Sequence, residues 1–370
     1  MERIKERLSS FELLRIIAML FIVSSHYVYH GVLKNGANPL PETWISAPTW
    51  KKIFSCFLIQ GELGVAVLFM ISGFFLIRKE RMKSIKRIVI QTVLWSWFAT
   101  SLTVLFKIFH RKNLEYKISD FLLPFFCPVS SEYWFVTSYL IIVFCTPALN
   151  RVLISLSRKQ YIILIAVLFL SEYLICAFIG GKMEGLARGF FFYICGGFIS
   201  LYLTDKLKKF SSTQKIICQS CLILSFLIFL LFEAIGYYIL YGIGDKSSHF
   251  LTIIGFCEVK TSVFLAAACL FVFFSSISLG SIGLINTISS SMFGVYLLHE
   301  NVFASPVIWG EVFDISNGQL LSKIYAWEAM ISILMVFVIC SVIDFLLQKF
   351  LLLPVCKRTE KFACDIVLSV

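Results

Sequence analysis

Arg15 and His26 lie on the first apolar segment of the chain, Arg15-Ile-Ile-Ala-Met-Leu-Phe-Ile-Val-Ser-Ser-His26, with ten residues between them. An α-helix turns about 100° per residue, so eleven steps return both side chains to nearly one face, roughly 16 Å apart along the axis. Ionisable groups inside a bilayer are costly unless they face a cavity or a partner, which makes such a pair a candidate site. The imidazole titrates near neutrality and can take a hydroxyl proton as general base. The planar donor fork of Arg15 suits a phosphate or another anion. The plain alternatives are a snorkelling arginine near one surface and a hydrogen-bonded interior histidine. The shared face, and Glu12 one turn before Arg15, favour chemistry.

The elements that must position this pair are membrane helices. The 370-residue chain is 59% hydrophobic and only 15% charged, with mean hydropathy +0.87. Apolar runs of about 18–25 residues recur along its length, as spanning helices require. The expectation is an all-α, polytopic integral membrane protein forming a single domain over residues 1–370. Ten spans are expected, near 10–31, 58–77, 88–108, 131–150, 160–180, 186–203, 215–237, 251–274, 289–309 and 326–349. The first follows Met1–Arg7 and resembles a signal peptide, but Arg15 and the lack of a small-residue cleavage site mark a retained helix. With the N-terminus inside, 20 of the 33 Lys and Arg fall on cytoplasmic ends and loops, so both termini are expected in the cytoplasm. That bias also accounts for the net charge of +11 and argues against a nucleic-acid partner. The largest outer segments are about 32–57 and 109–130, the first carrying Trp44, Trp50 and three prolines.

Other chemistry-bearing residues are read beside their structural alternatives. Gly64, Ala66, Ser72 and Gly73 permit close helix approach. Arg78 and Arg81 share a helical face and suit a polyphosphate, or serve as plain positive-inside charges. His299-Glu300 ends an apolar span; it either caps an interfacial helix or lines a site. Tyr133 and Trp134 either stack on a ligand or belong to an aromatic belt. Glu62, Glu172, Glu258 and Asp344 are embedded or near-embedded carboxylates, one of which could partner Arg15 or His26. His30 reads most simply as a loop-proximal histidine. Twelve cysteines lie mostly in apolar segments, where Cys behaves as a small hydrophobe. Cys218-Gln-Ser-Cys221 opens a hydrophobic helix rather than a redox site. Cys56 and Cys127 fall in expected outer loops, and whether they pair stays open. No His/Cys set has zinc spacing, so no metal is expected, and no P-loop or Gly-x-Gly-x-x-Gly fingerprint is present.

Phe11-Glu-Leu-Leu-Arg15 with His26, the Gly64-Val…Phe69-Met-Ile-Ser-Gly-Phe74 stretch and Arg78-x-x-Arg81 resemble the membrane acyltransferase-three family. Tyr133-Trp-Phe-Val-Thr-Ser-Tyr139, Pro147-Ala-Leu-Asn150 and Gly294-Val-Tyr-Leu-Leu-His299 are similar to further landmarks, in the same order. Glu12 stands where the family often has Asp, and no fused extracytoplasmic esterase-like domain is seen. The resemblance implies a bacterial inner-membrane O-acyltransferase with acyl-CoA, usually acetyl-CoA, as donor. The implied acceptor is a hydroxyl of an extracytoplasmic or lipid-linked polysaccharide, capsule or exopolysaccharide by preference. It implies His26 as catalytic residue and Arg15, Arg78 and Arg81 as donor-site residues. Glu12, Ser72, Tyr133, Trp134, His299 and Glu300 become candidate lining residues. Membrane lipid is a partner; if the fused domain passes the acyl group to the glycan in other members, this chain is expected to act alone or with a separate partner transferase, with oligomerisation a further option. The main rival is a polytopic transporter or glycan flippase, which needs no imidazole with a distal arginine. A polysaccharide polymerase would show a longer outer loop, and a membrane sensing module is the third alternative.

Overall fold

The computed structural model describes residues 8–37, 39–79, 85–110, 133–178, 184–243 and 249–355. It is 85% helical, with no strand among the described residues. Eight helices there are long and apolar enough to cross a membrane. An apolar chain in lipid satisfies its backbone polar groups within each helix, which is why strands and open loops are so scarce.

The first helix, α1 (Ser9–His26), continues through Tyr27–Val32 as a wider, π-type turn. Its start is held from a distance: Ser9 N donates to Gly280 O at 3.1 Å, while Ser9 Oγ accepts from Ile282 N at 2.7 Å. Along its length Leu14, Ala18, Ile22 and Val23 are buried, so α1 runs through the middle of the bundle rather than along its lipid face.

The next span is interrupted. Helix α2 (Thr49–Leu58) begins after Pro48, and α3 (Gly61–Leu76) follows the break at Ile59–Gln60. At the break the Leu58 carbonyl accepts from Gln60 N at 2.9 Å and from Ser24 Oγ on α1 at 2.8 Å. A Cβ on Gly64 would strike the Ala18 carbonyl, so glycine there lets α3 reach the backbone of α1. The other crossing of α3 is glycine-lined too. Helices α4 (Lys86–Phe109), α5 (Trp134–Ser155), α6 (Arg158–Phe178) and α7 (Glu184–Phe198) come next in the chain. On α7, Gly196 faces the Met70 carbonyl while Gly73 of α3 faces the Tyr193 carbonyl. Small residues therefore fix the depth of α3 against both neighbours, as in other membrane helix pairs.

Helices α8 (Ser212–Tyr237) and α9 (His249–Ser276) pack along each other, and α9 also meets α3. The expected span at 289–309 is not one continuous helix. Instead α10 (Gly283–Ser290) and α11 (Met292–His299) are followed by a break at Glu300–Phe303 and a π-type turn at Val307–Val312. Asn301 causes the break: its Oδ1 accepts from the amides of Phe303 and Ala304, both at 3.1 Å, and so caps a new turn. The last long helix is α12 (Tyr325–Leu347).

Helix α11 is held in place from three sides. Tyr133 Oη donates to the Leu297 carbonyl at 2.9 Å. Asn301 Nδ2 donates to Tyr133 Oη at 3.2 Å. Asp344 of α12 is fully buried against Gly294 and accepts from Trp95 Nε1 at 2.8 Å and Gln348 Nε2 at 2.6 Å. Cys56 is a buried free thiol in α2, and Cys127 lies outside the described residues.

Candidate active site

His26 ends the regular part of α1, and the π-type turn beyond it keeps His30 on the same side, with ring centroids 5.0 Å apart. Single wide turns of this kind occur often at functional sites because they re-aim side chains without ending the helix. Against this face comes the end of α11. His26 Nδ1 is 2.9 Å from His299 Nε2 and 2.9 Å from Glu300 Oε2. His30 Nε2 reaches the same carboxylate oxygen at 3.1 Å. His30 is therefore part of the cluster and not the loop-proximal residue that its position suggested.

Proton positions follow from what each partner can accept. His299 Nδ1 faces the Val295 carbonyl, which only accepts, so that nitrogen carries the hydrogen and Nε2 offers a lone pair. Both neighbours of His26 Nδ1, the His299 lone pair and the Glu300 carboxylate, are then acceptors. His26 Nδ1 must donate. In the neutral ring this leaves Nε2 bare, and no protein group among the described residues hydrogen-bonds it. The arrangement repeats the logic of a catalytic triad, in which an acidic partner fixes the tautomer and steadies the imidazolium.

His26 opens on a cavity of about 160 Å³, lined also by Tyr29, Glu62, Trp134, Arg188 and Tyr296. Arg188 Nη1 and Glu62 Oε1 are 2.9 Å apart. Gly61 packs against Ser25, and Gly185 against the Trp134 ring, so two glycines shape its walls.

Toward the other end of α1, Arg15 Nη1 bonds Glu12 Oε1 at 2.6 Å, and Ser289 donates to the second oxygen of Glu12. Glu12 is buried, and the Arg15 side chain stays one-third exposed. The carboxylate thus anchors the guanidinium at the bundle surface while leaving its other edge for an anion. Eleven residues of helix separate it from His26, roughly 16 Å.

The remaining expected residues divide. Trp134, His299 and Glu300 gather at His26, as described. Tyr133 does not line the cavity; it is fully buried and holds α11 in place. Ser72 is eleven residues along α3 from Gly61, and its hydroxyl is turned back to the Leu68 carbonyl at 3.0 Å. Arg78 is exposed, 3.4 Å from the Ser200 carbonyl, and Arg81 lies outside the described residues. None of the four embedded carboxylates pairs with Arg15 or His26 through a described contact. Glu62 takes Arg188, Glu258 accepts from Ser262, Asp344 serves packing, and the side chain of Glu172 lies outside the described residues. Arg188 was missed: it sits in a short apolar helix with no motif around it, and the only available signal was a charge within an expected span.

The signature of an acyltransferase domain matches residues 8–345. The chain belongs to the membrane acyltransferase-3 family. It is therefore a membrane acyltransferase, and the matched region takes in every element that builds the site, from the first turn of α1 to Asp344 on α12. No curated protein and no solved structure matches the chain.

Proposed function

We propose that this acyltransferase moves an acyl group, acetyl by preference, from cytoplasmic acyl-CoA to a sugar hydroxyl. The acceptor is an extracytoplasmic or lipid-linked polysaccharide, of the capsule or exopolysaccharide type, at the bacterial inner membrane. One observation carries the reading: the network around His26 makes Nε2 the bare nitrogen of the neutral ring, beside a cavity furnished for a polar ligand.

In this reaction His26 Nε2 takes the proton of the acceptor hydroxyl as its oxygen attacks the thioester carbonyl. The C–O ester bond forms, the C–S bond breaks, and the departing CoA thiolate takes the proton back from the imidazolium. Glu300 and His299 hold Nδ1–H during the cycle and offset the positive charge of the ring. Trp134 offers a face for a sugar ring, and Glu62 and Arg188 offer charge-assisted hydrogen bonds to its hydroxyls. Arg15 binds a phosphate of the donor, with exposed Arg78, and Arg81 three residues on in the sequence, as further donor contacts. The roughly 16 Å from Arg15 to His26 is comparable to an extended pantetheine arm, so a donor anchored on one side can present its thioester at the imidazole.

The test is to measure ester-linked acyl groups on surface glycans by NMR in wild-type, deletion and His26→Ala strains. Loss of the same ester signal in both mutants is expected. An unchanged signal in either strain overturns the proposal.

A further inference from the structure

The cluster at the end of α1 holds more donor atoms than a proton relay uses. A ring nitrogen of His26, a ring nitrogen of His30 and a Glu300 carboxylate oxygen all lie within 4.8 Å of one another. We propose that His26, His30 and Glu300 form a binding site for a divalent transition-metal ion, with zinc the best match.

Three observations support it. The donor set is two imidazoles and a carboxylate, the combination that zinc accepts with a fourth position left for water. The histidines are four residues apart on one helical face, so a single element presents both. Tetrahedral zinc separates its donors by about 3.4 Å. The Glu300 oxygen is 2.9 Å from His26 Nδ1 and 3.1 Å from His30 Nε2, so these two contacts need open by only a few tenths of an ångström to admit the ion.

The second nitrogen of His30 is anchored as well. His30 Nδ1 faces the side-chain oxygen of Asn35, a residue held at φ 61° in the turn that follows α1. Metal-binding histidines usually anchor their remaining N–H on such an oxygen, which turns the other lone pair toward the ion. In the metal-free protein His30 Nε2 donates to the Glu300 carboxylate, and a metal ion would take the place of that proton. His299, anchored on Val295, adds a lone pair 2.9 Å from His26 Nδ1. The His26, His30 and Glu300 side chains keep 16–18% of their surface open, so an ion can enter without unfolding the bundle.

Occupancy has a consequence that rests on the acyl-transfer reading. A metal on His26 Nδ1 moves the ring proton to Nε2 and removes the base. The ion is then a reversible inhibitor of transfer rather than a participant in it.

Binding is tested apart from activity. Full-length protein in nanodiscs is equilibrated with zinc chloride, desalted and analysed for metal, and histidine modification by diethyl pyrocarbonate is mapped by mass spectrometry with and without zinc. About one zinc per chain is expected, with His26 and His30 protected. Affinity falls by more than the roughly 10–100-fold typical of losing an outer-shell partner in His30→Ala, and is unchanged in His110→Ala, whose imidazole is exposed elsewhere. Should His30→Ala fail to fold, the protection pattern in the wild-type protein decides. Zinc retained equally by His30→Ala, or His26 and His30 modified at the same rate with zinc present, overturns the proposal. Protein that binds zinc in this way yet shows no acyl transfer when metal-free keeps the metal site and sinks the catalytic reading instead.

Discussion

Arg188 Nη1 of α7 lies 2.9 Å from Glu62 Oε1 of α3, and both side chains line the cavity on which His26 opens. The Arg188 side chain is 11% exposed and that of Glu62 36%, so the pair stands at the cavity wall, with the acid facing outward. A charge pair in such a place is costly to keep unless a ligand uses it. Arg188→Ala should raise the acceptor KM about tenfold, the effect of one lost charge-assisted hydrogen bond of about 1.5 kcal/mol, with little change in the KM for acyl-CoA. Arg188→Lys should recover only part of this, because an ammonium does not reproduce the guanidinium fork. Steady-state kinetics with each substrate varied in turn is the check.

His26→Ala should reduce transfer by about 10²–10⁴-fold, the usual contribution of a positioned general base. His299→Ala and Glu300→Gln should lose less, since each leaves the other acceptor facing Nδ1. Their combined variant should fall toward His26→Ala, with the two single losses failing to add. His299→Gln, whose amide oxygen can accept from Nδ1–H, should restore part of the rate. Measuring initial acyl-transfer rates across this set separates a positioning role from a purely structural one.

Arg15 is expected to act on the donor alone. Arg15→Ala should raise the KM for acyl-CoA and leave the acceptor KM unchanged. Glu12→Gln should give a smaller shift of the same kind, because the carboxylate only anchors the guanidinium. Binding of desulfo-CoA by calorimetry reads this without turnover.

Gly196 faces the Met70 carbonyl and Gly73 faces the Tyr193 carbonyl, so neither has room for a methyl group. Either glycine changed to Ala must push α3 and α7 apart, at a cost of about 1–3 kcal/mol. Gly283→Ala, with no atom near the added carbon, is the control. Thermal unfolding in detergent should show the first two lowered and the third unchanged.

Local sequence determined a good deal. Long apolar runs dictate spanning helices because the backbone has no other way to satisfy itself in lipid. The helical period alone aligns Arg15 with His26, and the short reach from Glu12 to Arg15 within one turn gives their ion pair. The glycines at 64 and 73 already signalled close crossings. Tertiary structure decided the rest. Glu300 reaches His26 only because Asn301 breaks a span that hydropathy reads as continuous, and because Tyr133 and Asp344 hold α11 at the depth where its end meets α1. Arg188 meets Glu62 only because glycines let α3 and α7 cross closely. Periodicity reports which face a residue occupies on its own helix; which residue faces it from another helix depends on crossing depth and rotation, and those are set by packing across the whole bundle.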